Sequence, residues 1–323
     1  MADTKRPTAS VSLDVDNLWS YMKVHGNEDW RSRPSYLPGF LPHALGALAE
    51  LDLRITFFIV GLDAAEDSNG PALRGLAAGG HEVGNHSFEH EPWLHTYSPE
   101  QVRRELHEAD RAIRAATGLA PVGFRGPGFS WSPDVLRAVG ELGYAFDAST
   151  FPTFLGPLAR MYYFATARLT AEERAQRQHL FGGASEGFRP LKPYYWALEG
   201  APPLLEIPVT TMPLFRAPFH LSYLVYLSRF SEALAMAYLH TALGLCRAAG
   251  VGPSFLLHPL DLIGADLAPQ LAFFPGMDLP SDHKRRFFLR VMRALGEHFD
   301  LVPMGEHARR IAAGQTLPLR AAA

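Results

Sequence analysis

Three short stretches of this chain combine side chains that do acid–base or metal chemistry with spacings that let them act together. In Ser12-Leu13-Asp14-Val15-Asp16-Asn17 an apolar run ends in two carboxylates separated by one valine. In His81-Glu82-Val83-Gly84-Asn85-His86-Ser87-Phe88-Glu89-His90, the imidazoles of His86 and His90 stand four positions apart. They share a face if that stretch turns helically, which suits a metal ion. Phe255-Leu256-Leu257-His258-Pro259 leaves one histidine at the mouth of a buried run. Taken singly, each has a plainer reading: a turn or helix cap, a chance pair among 14 histidines, a hydrogen-bonded structural histidine. Taken together they offer one carboxylate and two imidazoles, a three-ligand set with positions left open, as in a catalytic metal site. A second carboxylate beside the first can act as base on metal-bound water, whose pKa falls to about 7 on zinc. A further histidine can protonate a leaving amine.

Such groups need a scaffold that brings strand ends together. Short β-rich runs at 9–13, 54–60, 82–83, 122–124 and 144–146 alternate with segments of helical period. The clearest helix runs from Ser98 to Thr117, with Ser98 as cap, Pro99 in the first turn, Gln101 completing a capping box and Gly118 as stop. Ser132-Pro133 opens another that ends at Gly143, and shorter helices are expected over 42–51 and 71–78. This rhythm predicts an α/β fold, a parallel sheet with helices outside it, either open or closed into a barrel. It fails between 148 and 203, where ten aromatic residues accompany Gly and Pro without a clean period; an insertion or lid is expected there. Strands at 204–209 and 254–257, one long helical region over 220–249, and a last strand and helix near 301–303 and 305–313 follow. One domain over 1–323 is the expectation.

Composition excludes several classes. With 47% hydrophobic and 20% charged residues the chain has the material for a core, which argues against general disorder. A formal charge of −3 without a basic block argues against nucleic-acid binding. The single Cys246 forbids an internal disulfide and a cysteine-rich zinc module. No export signal or uninterrupted apolar span of about 18 residues is visible, so a cytoplasmic protein is expected. The apolar segment 213–227 suits a membrane interface, leaving peripheral association at the inner face open. Oligomeric state is open too.

In order, the Asp-bearing strand end, Thr56-Phe57-Phe58-Ile59-Val60-Gly61, the His81–His90 stretch, Phe124-Arg125-Gly126-Pro127-Gly128 and Leu256-Leu257-His258-Pro259 resemble the NodB-homology polysaccharide deacetylases, the family-four carbohydrate esterases. The resemblance covers residues 9–150 well and 204–310 loosely. It implies a distorted (β/α)7-type barrel with one divalent metal, zinc first, with cobalt, nickel or iron as other candidates. Asp16, His86 and His90 would be the ligands, Asp14 the general base held by Arg125, and His258 the general acid. Pro127, Gly128, Phe129, Trp131 and Leu256 would bind substrate, and a backbone N–H near the first strand end would help hold the oxyanion.

Two departures stand out. Val15 separates aspartates that are adjacent in the commoner pattern. This resembles a subgroup holding peptidoglycan-deacetylase-like proteins, cyclic-imide or allantoin amidohydrolases and the deformylase of undecaprenyl-linked formamido-arabinose. The usual Asp-x-x-Asp-Trp segment is replaced by Phe146-Asp147-Ala148-Ser149-Thr150, leaving Asp147 or Asp261 to tune His258. The expected activity is removal of an acetyl or formyl group from an amino sugar carried on a lipid, a nucleotide or a glycoside. Arg160, Arg168, Arg189 or Lys192 would meet any phosphate. A cyclic-imide amidohydrolase, an iron(II) oxygenase and a non-catalytic binding module are the rivals.

Overall fold

Strand β1 (Thr8–Asp14) alternates strictly: Ala9, Val11 and Leu13 are fully buried among apolar helix residues, while Ser12 and Asp14 turn to the opposite face and meet Arg125. Period-two alternation puts small polar residues on one face and apolar ones on the other. In a closed sheet this makes a narrow polar interior and an apolar exterior for helices to cover. The computed structural model describes residues 6–158, 161, 170, 183–314 and 316–322.

Seven parallel strands form the ring. β1 lies between β2 (Thr56–Ile59) and β8 (Ser254–Leu257). β2 continues to β3 (Glu82–Asn85), β4 (Gly123–Phe124), β5 (Phe146–Asp147) and β7 (Leu204–Glu206). The chain just past β7 then turns back towards β8: Thr210 N–H donates to Ser254 C=O (3.1 Å), and Ser254 N–H donates to Thr210 Oγ1 (2.8 Å). That contact closes a distorted seven-stranded barrel, as expected. β9 (Asp300–Val302) pairs with the first residues of β1.

The helices follow the expected rhythm with corrected ends. α1 (Leu18–Val24) follows β1, and α2 (Leu37–Glu50), α3 (Gly61–Ala64) and α4 (Gly70–Ala78) flank β2. In α5 (Pro99–Thr117) the capping box forms: Ser98 Oγ accepts from Gln101 N–H (3.3 Å) and Gln101 Oε1 from Ser98 N–H (2.9 Å). Val102, Leu106, Ala109 and Ile113 bury its inner face completely. α6 (Pro133–Glu141) ends before Gly143, whose φ of 70° suits glycine.

Three expectations are corrected. The region 220–249 is two helices, α7 (Leu221–Ser228) and α8 (Glu232–Ala249), because Ser231 caps the second with a bond from Leu234 N–H to its Oγ (3.2 Å). A long amphipathic helix, α9 (Ser281–His298), precedes α10 (Met304–Gly314) and was not anticipated. The stretch 148–203 holds a strand, β6 (Tyr194–Ala197), antiparallel to β7 and parallel to β10 (Leu319–Ala321), so this part extends the sheet. Arg160 and Arg168 lie outside the described residues. Among the described residues, no helix is long and apolar enough to cross a membrane.

Candidate functional site

Asp16 leaves β1 on a locked backbone. Asn17 caps α1 by accepting from Leu18 N–H (2.7 Å), and its amide donates to Asp63 Oδ1 (2.6 Å). The Tyr36 hydroxyl donates to Asp16 C=O. Across the barrel mouth, His86 follows β3 directly, with its Nδ1 2.6 Å from Arg125 C=O. A carbonyl only accepts, so Nδ1 carries the proton and Nε2 presents a lone pair. His90 does not come from a helix, as its spacing had suggested. Ser87 (φ 60°) and His90 (φ 55°) adopt left-handed conformations that fold the loop back. Glu105 pins this loop by accepting from Phe88 and Glu89 N–H, both at 3.0 Å. His81, at the far end of β3, accepts from Ile55 N–H (3.2 Å); burial, with Arg54 nearby, lowers its pKa to about 4, and it lies apart from the pair.

Ligand atoms of Asp16, His86 and His90 lie within 4.8 Å of one another. His90 Nε2 stands 2.9 Å and His86 Nε2 3.4 Å from Asp16 Oδ1. The approach is close but misaligned for hydrogen bonding: Asp16 Oδ1 and both His90 ring nitrogens are buried without a hydrogen-bond partner. Burial works against ionising Asp16, yet His90 and His86 hold its carboxyl well below the usual range. Burial likewise opposes a charge on His86, but Asp14 and Asp16 raise its pKa. Orphaned, buried N and O donors converging where positive charge is favoured fit a divalent cation, and the set matches zinc and similar metals.

Beside this triad sits a fully buried ion pair. Arg125 Nη1 donates to Asp14 Oδ1 (2.6 Å) and Ser12 Oγ (2.9 Å), while Nε donates to Ala148 C=O (3.2 Å). The guanidinium lies 4.3 Å above the Phe58 ring. Nε and Nη1 are committed to these partners and Nη2 faces Met304 Sδ (3.5 Å), so the cation is fixed in place and aims one carboxylate.

His258 stands at the end of β8, partly exposed, with Nδ1 3.2 Å from Ser222 Oγ. Its N–H donates to Asp261 Oδ2 (2.8 Å), and that oxygen is 4.0 Å from Nδ1. Of the two acids considered beside it, Asp261 is the neighbour. Asp147 instead bonds to Ser149 and pairs in register with Glu206.

A run of rings leads to His258: Phe129 stacks on Phe151 at 4.7 Å, Phe151 lies 5.5 Å from His220, and His220 lies 5.9 Å from His258. Pro127 and Gly128 form the tight turn that presents Phe129, with Gly128 at φ 57°. Leu256 is completely buried, two residues before His258 on the same strand face. Trp131 stacks on Trp196 at 4.9 Å under the Arg189 guanidinium, so it packs against the sheet extension. Sequence reasoning missed Tyr21, whose phenol is pushed well above its usual range by burial and by the charges of Asp16, Tyr36 and Asp261, and also His220 and Ser222. Tyr21 stands one helical turn after the Asn17 cap, a position that would have marked it.

The fold and these groups define a seven-stranded α/β barrel with a metal-capable triad at its mouth. Residues 6–146 match the family model described as polysaccharide deacetylase, so the resemblance carried by the motifs holds. The chitooligosaccharide deacetylase of Sinorhizobium fredii is 39% identical over 109 residues, 33% of this chain and 49% of that protein. Its counterpart in Rhizobium leguminosarum bv. phaseoli is 37% identical over 126 residues, 36% and 54% of the respective chains. The chain therefore spans about half the length of the curated relatives it matches. A solved structure from Mycobacterium smegmatis, described as a polysaccharide deacetylase, shares the fold with a TM-score of 0.62 at 17% identity, over 98% of this chain and 95% of that one.

Proposed function

We propose that this protein is a metal-dependent hydrolase that removes the N-acetyl group from amino sugars. The observation that carries the reading is the convergence of Asp16, His86 and His90 beside the Asp14–Arg125 pair. Asp16, His86 and His90 would hold one divalent ion, zinc first. When bound, such an ion supplies a Lewis acid and a water whose pKa falls to about 7 on zinc. Asp14, aimed by Arg125, takes the proton of the attacking water as its oxygen bonds to the amide carbon. The C–N bond then breaks, His258 delivers a proton to the nitrogen, and acetate and the free amine leave. Phe129 and Phe151 offer ring faces for the sugar.

The relatives' printed substrate, a chitooligosaccharide, supports a β-linked N-acetylglucosamine oligomer as the first compound to try. A formamido sugar and a lipid-linked sugar at a membrane face are the finer alternatives. Leu214 and Phe215, both mostly exposed, support the lipid-linked form. The test is release of acetate or formate from N-acetyl and N-formyl amino sugars with zinc, cobalt or nickel, beside metal titration of wild type and His86→Ala. One ion per wild-type chain, acetate release and lost metal in His86→Ala are expected. A metal-loaded protein inert towards every amide, or His86→Ala binding metal as tightly as wild type, overturns the proposal.

A further inference from the structure

His258 is carried on a turn whose support comes from another part of the chain. Beyond Leu257 the backbone passes through a short 3-10 segment, Pro259–Asp261, and the carbonyls that end such a turn have no partner within it. Leu260 C=O within it and Ile263 C=O just beyond it converge on one side chain. Lys284 Nζ lies 2.6 Å from Leu260 C=O and 2.7 Å from Ile263 C=O, with Met277 Sδ at 3.6 Å. Lys284 belongs to the first turn of α9, is 1% exposed, and forms no ion pair among the described residues. A buried ammonium without a carboxylate contact is costly, whereas its compact head with three donors suits several carbonyls at once.

Asp261 lies between the two tethered carbonyls in sequence. It accepts the His258 N–H, and Ser222 Oγ approaches the Nδ1 edge of the same imidazole. Burial pushes the Asp261 carboxyl up, while His258, its backbone N–H, Ser222 and Lys284 pull it back down. The first turn of α9 fixes the loop a second time: Ser281 Oγ accepts from Gly264 N–H (2.9 Å) and donates to Asp266 Oδ1 (2.9 Å).

We infer that Lys284 is a positioning residue for the acid step: it ties down the 260–263 carbonyls and with them Asp261, so that the His258 imidazole faces the departing amine. This rests on the acid role proposed above for His258. The test uses two substrates that differ in their need for an acid. The amine of N,N′-diacetylchitobiose must be protonated to leave, whereas the phenolate of p-nitrophenyl acetate leaves without a proton. In Lys284→Met, kcat on the amide should fall about ten- to a hundredfold, as for a misplaced catalytic group. KM, metal affinity and ester hydrolysis should stay within about twofold of wild type. Lys284→Gln, which keeps a shorter donor, should show a smaller loss of the same selective kind, and it serves if the methionine variant does not fold. His258→Ala should show the same selectivity with a larger loss.

Equal loss on amide and ester in Lys284→Met or Lys284→Gln, or no loss on the amide, overturns the positioning role while selective loss in His258→Ala leaves the acid assignment standing. A His258→Ala enzyme without selective amide loss overturns the acid assignment itself.

Discussion

Asp14 and Asp147 are both buried inside the barrel at strand ends, and their surroundings differ. Asp14 of β1 faces the Arg125 guanidinium in a fully buried ion pair. Asp147 of β5 faces Glu206 of β7, with which it is in register, and no cation joins them among the described residues. Burial raises both members of this second pair, and Asp147 adds to the rise at Glu206. Glu206 accepts from Thr150 N–H (3.1 Å) and Trp196 Nε1–H (2.9 Å), so it works as a strut between β7 and β6. A place at a strand end therefore does not make a carboxylate a base. The base role proposed for Asp14 rests on its partnered cation beside a metal-capable triad, whereas a like-charged neighbour makes a proton-sharing brace instead.

The largest expected effect breaks the Asp14 side of this contrast. Asp14→Asn should lower kcat about 10²–10⁴-fold while one metal ion still binds, read by steady-state kinetics beside metal titration; a wild-type rate would remove Asp14 from the chemistry. Next, Arg125→Met strands a buried charge and should destabilise the fold by about 3–5 kcal/mol in urea unfolding. An unchanged midpoint would mean that the pair is not what holds Arg125 in the interior.

His307 tests the same interior from the acid side. Its Nδ1 is 2.9 Å from Ser10 Oγ at the opposite end of β1, and burial, with Arg310 nearby, lowers its pKa to about 4. The unfolded chain, with a histidine pKa of about 6.5, takes up the proton first. Stability is thus complete above about pH 6.5 and declines as pH falls towards 4, by about 3 kcal/mol in all. His307→Phe should make that limb of the stability–pH profile shallower, with His81 still contributing, and an identical slope would show that His307 takes no part in it.

The smallest effect belongs to the brace. Because Glu206 is raised in the fold, its contribution is present below its ordinary pKa and is lost as pH rises through the folded value. Asp147→Asn removes the like charge but not the burial, so that alkaline decline should shrink, at a cost of about 1 kcal/mol at neutral pH and with near-normal activity. Loss of activity comparable to that of Asp14→Asn would erase the distinction between the two pairs.

Much of the site was legible because its groups sit at strand ends next to apolar runs: Asp14, Asp16, His86, Arg125 and His258 each follow or close a strand. The α5 helix was legible because capping chemistry is local. The helical reading of His86 and His90 failed because spacing does not report φ, and two left-handed residues reach the same convergence by a loop. In α9 the opening Ser-Asp-His-Lys-Arg-Arg hides the periodicity of Phe287, Phe288, Val291, Met292 and Leu295. Lys284 was invisible for a different reason. Its partners lie 21 and 24 positions away, and only the folded chain brings a lysine of one helix to the carbonyls of another loop.

The stitch between Thr210 and Ser254 has a consequence for how the ring breathes. Most neighbouring strands share a ladder of peptide bonds, but this seam relies in part on one threonine hydroxyl standing in for a carbonyl. Solvent deuterium should enter at the Ser254 amide before the amides of the β1–β8 ladder, because a hydroxyl rather than a peptide carbonyl holds it.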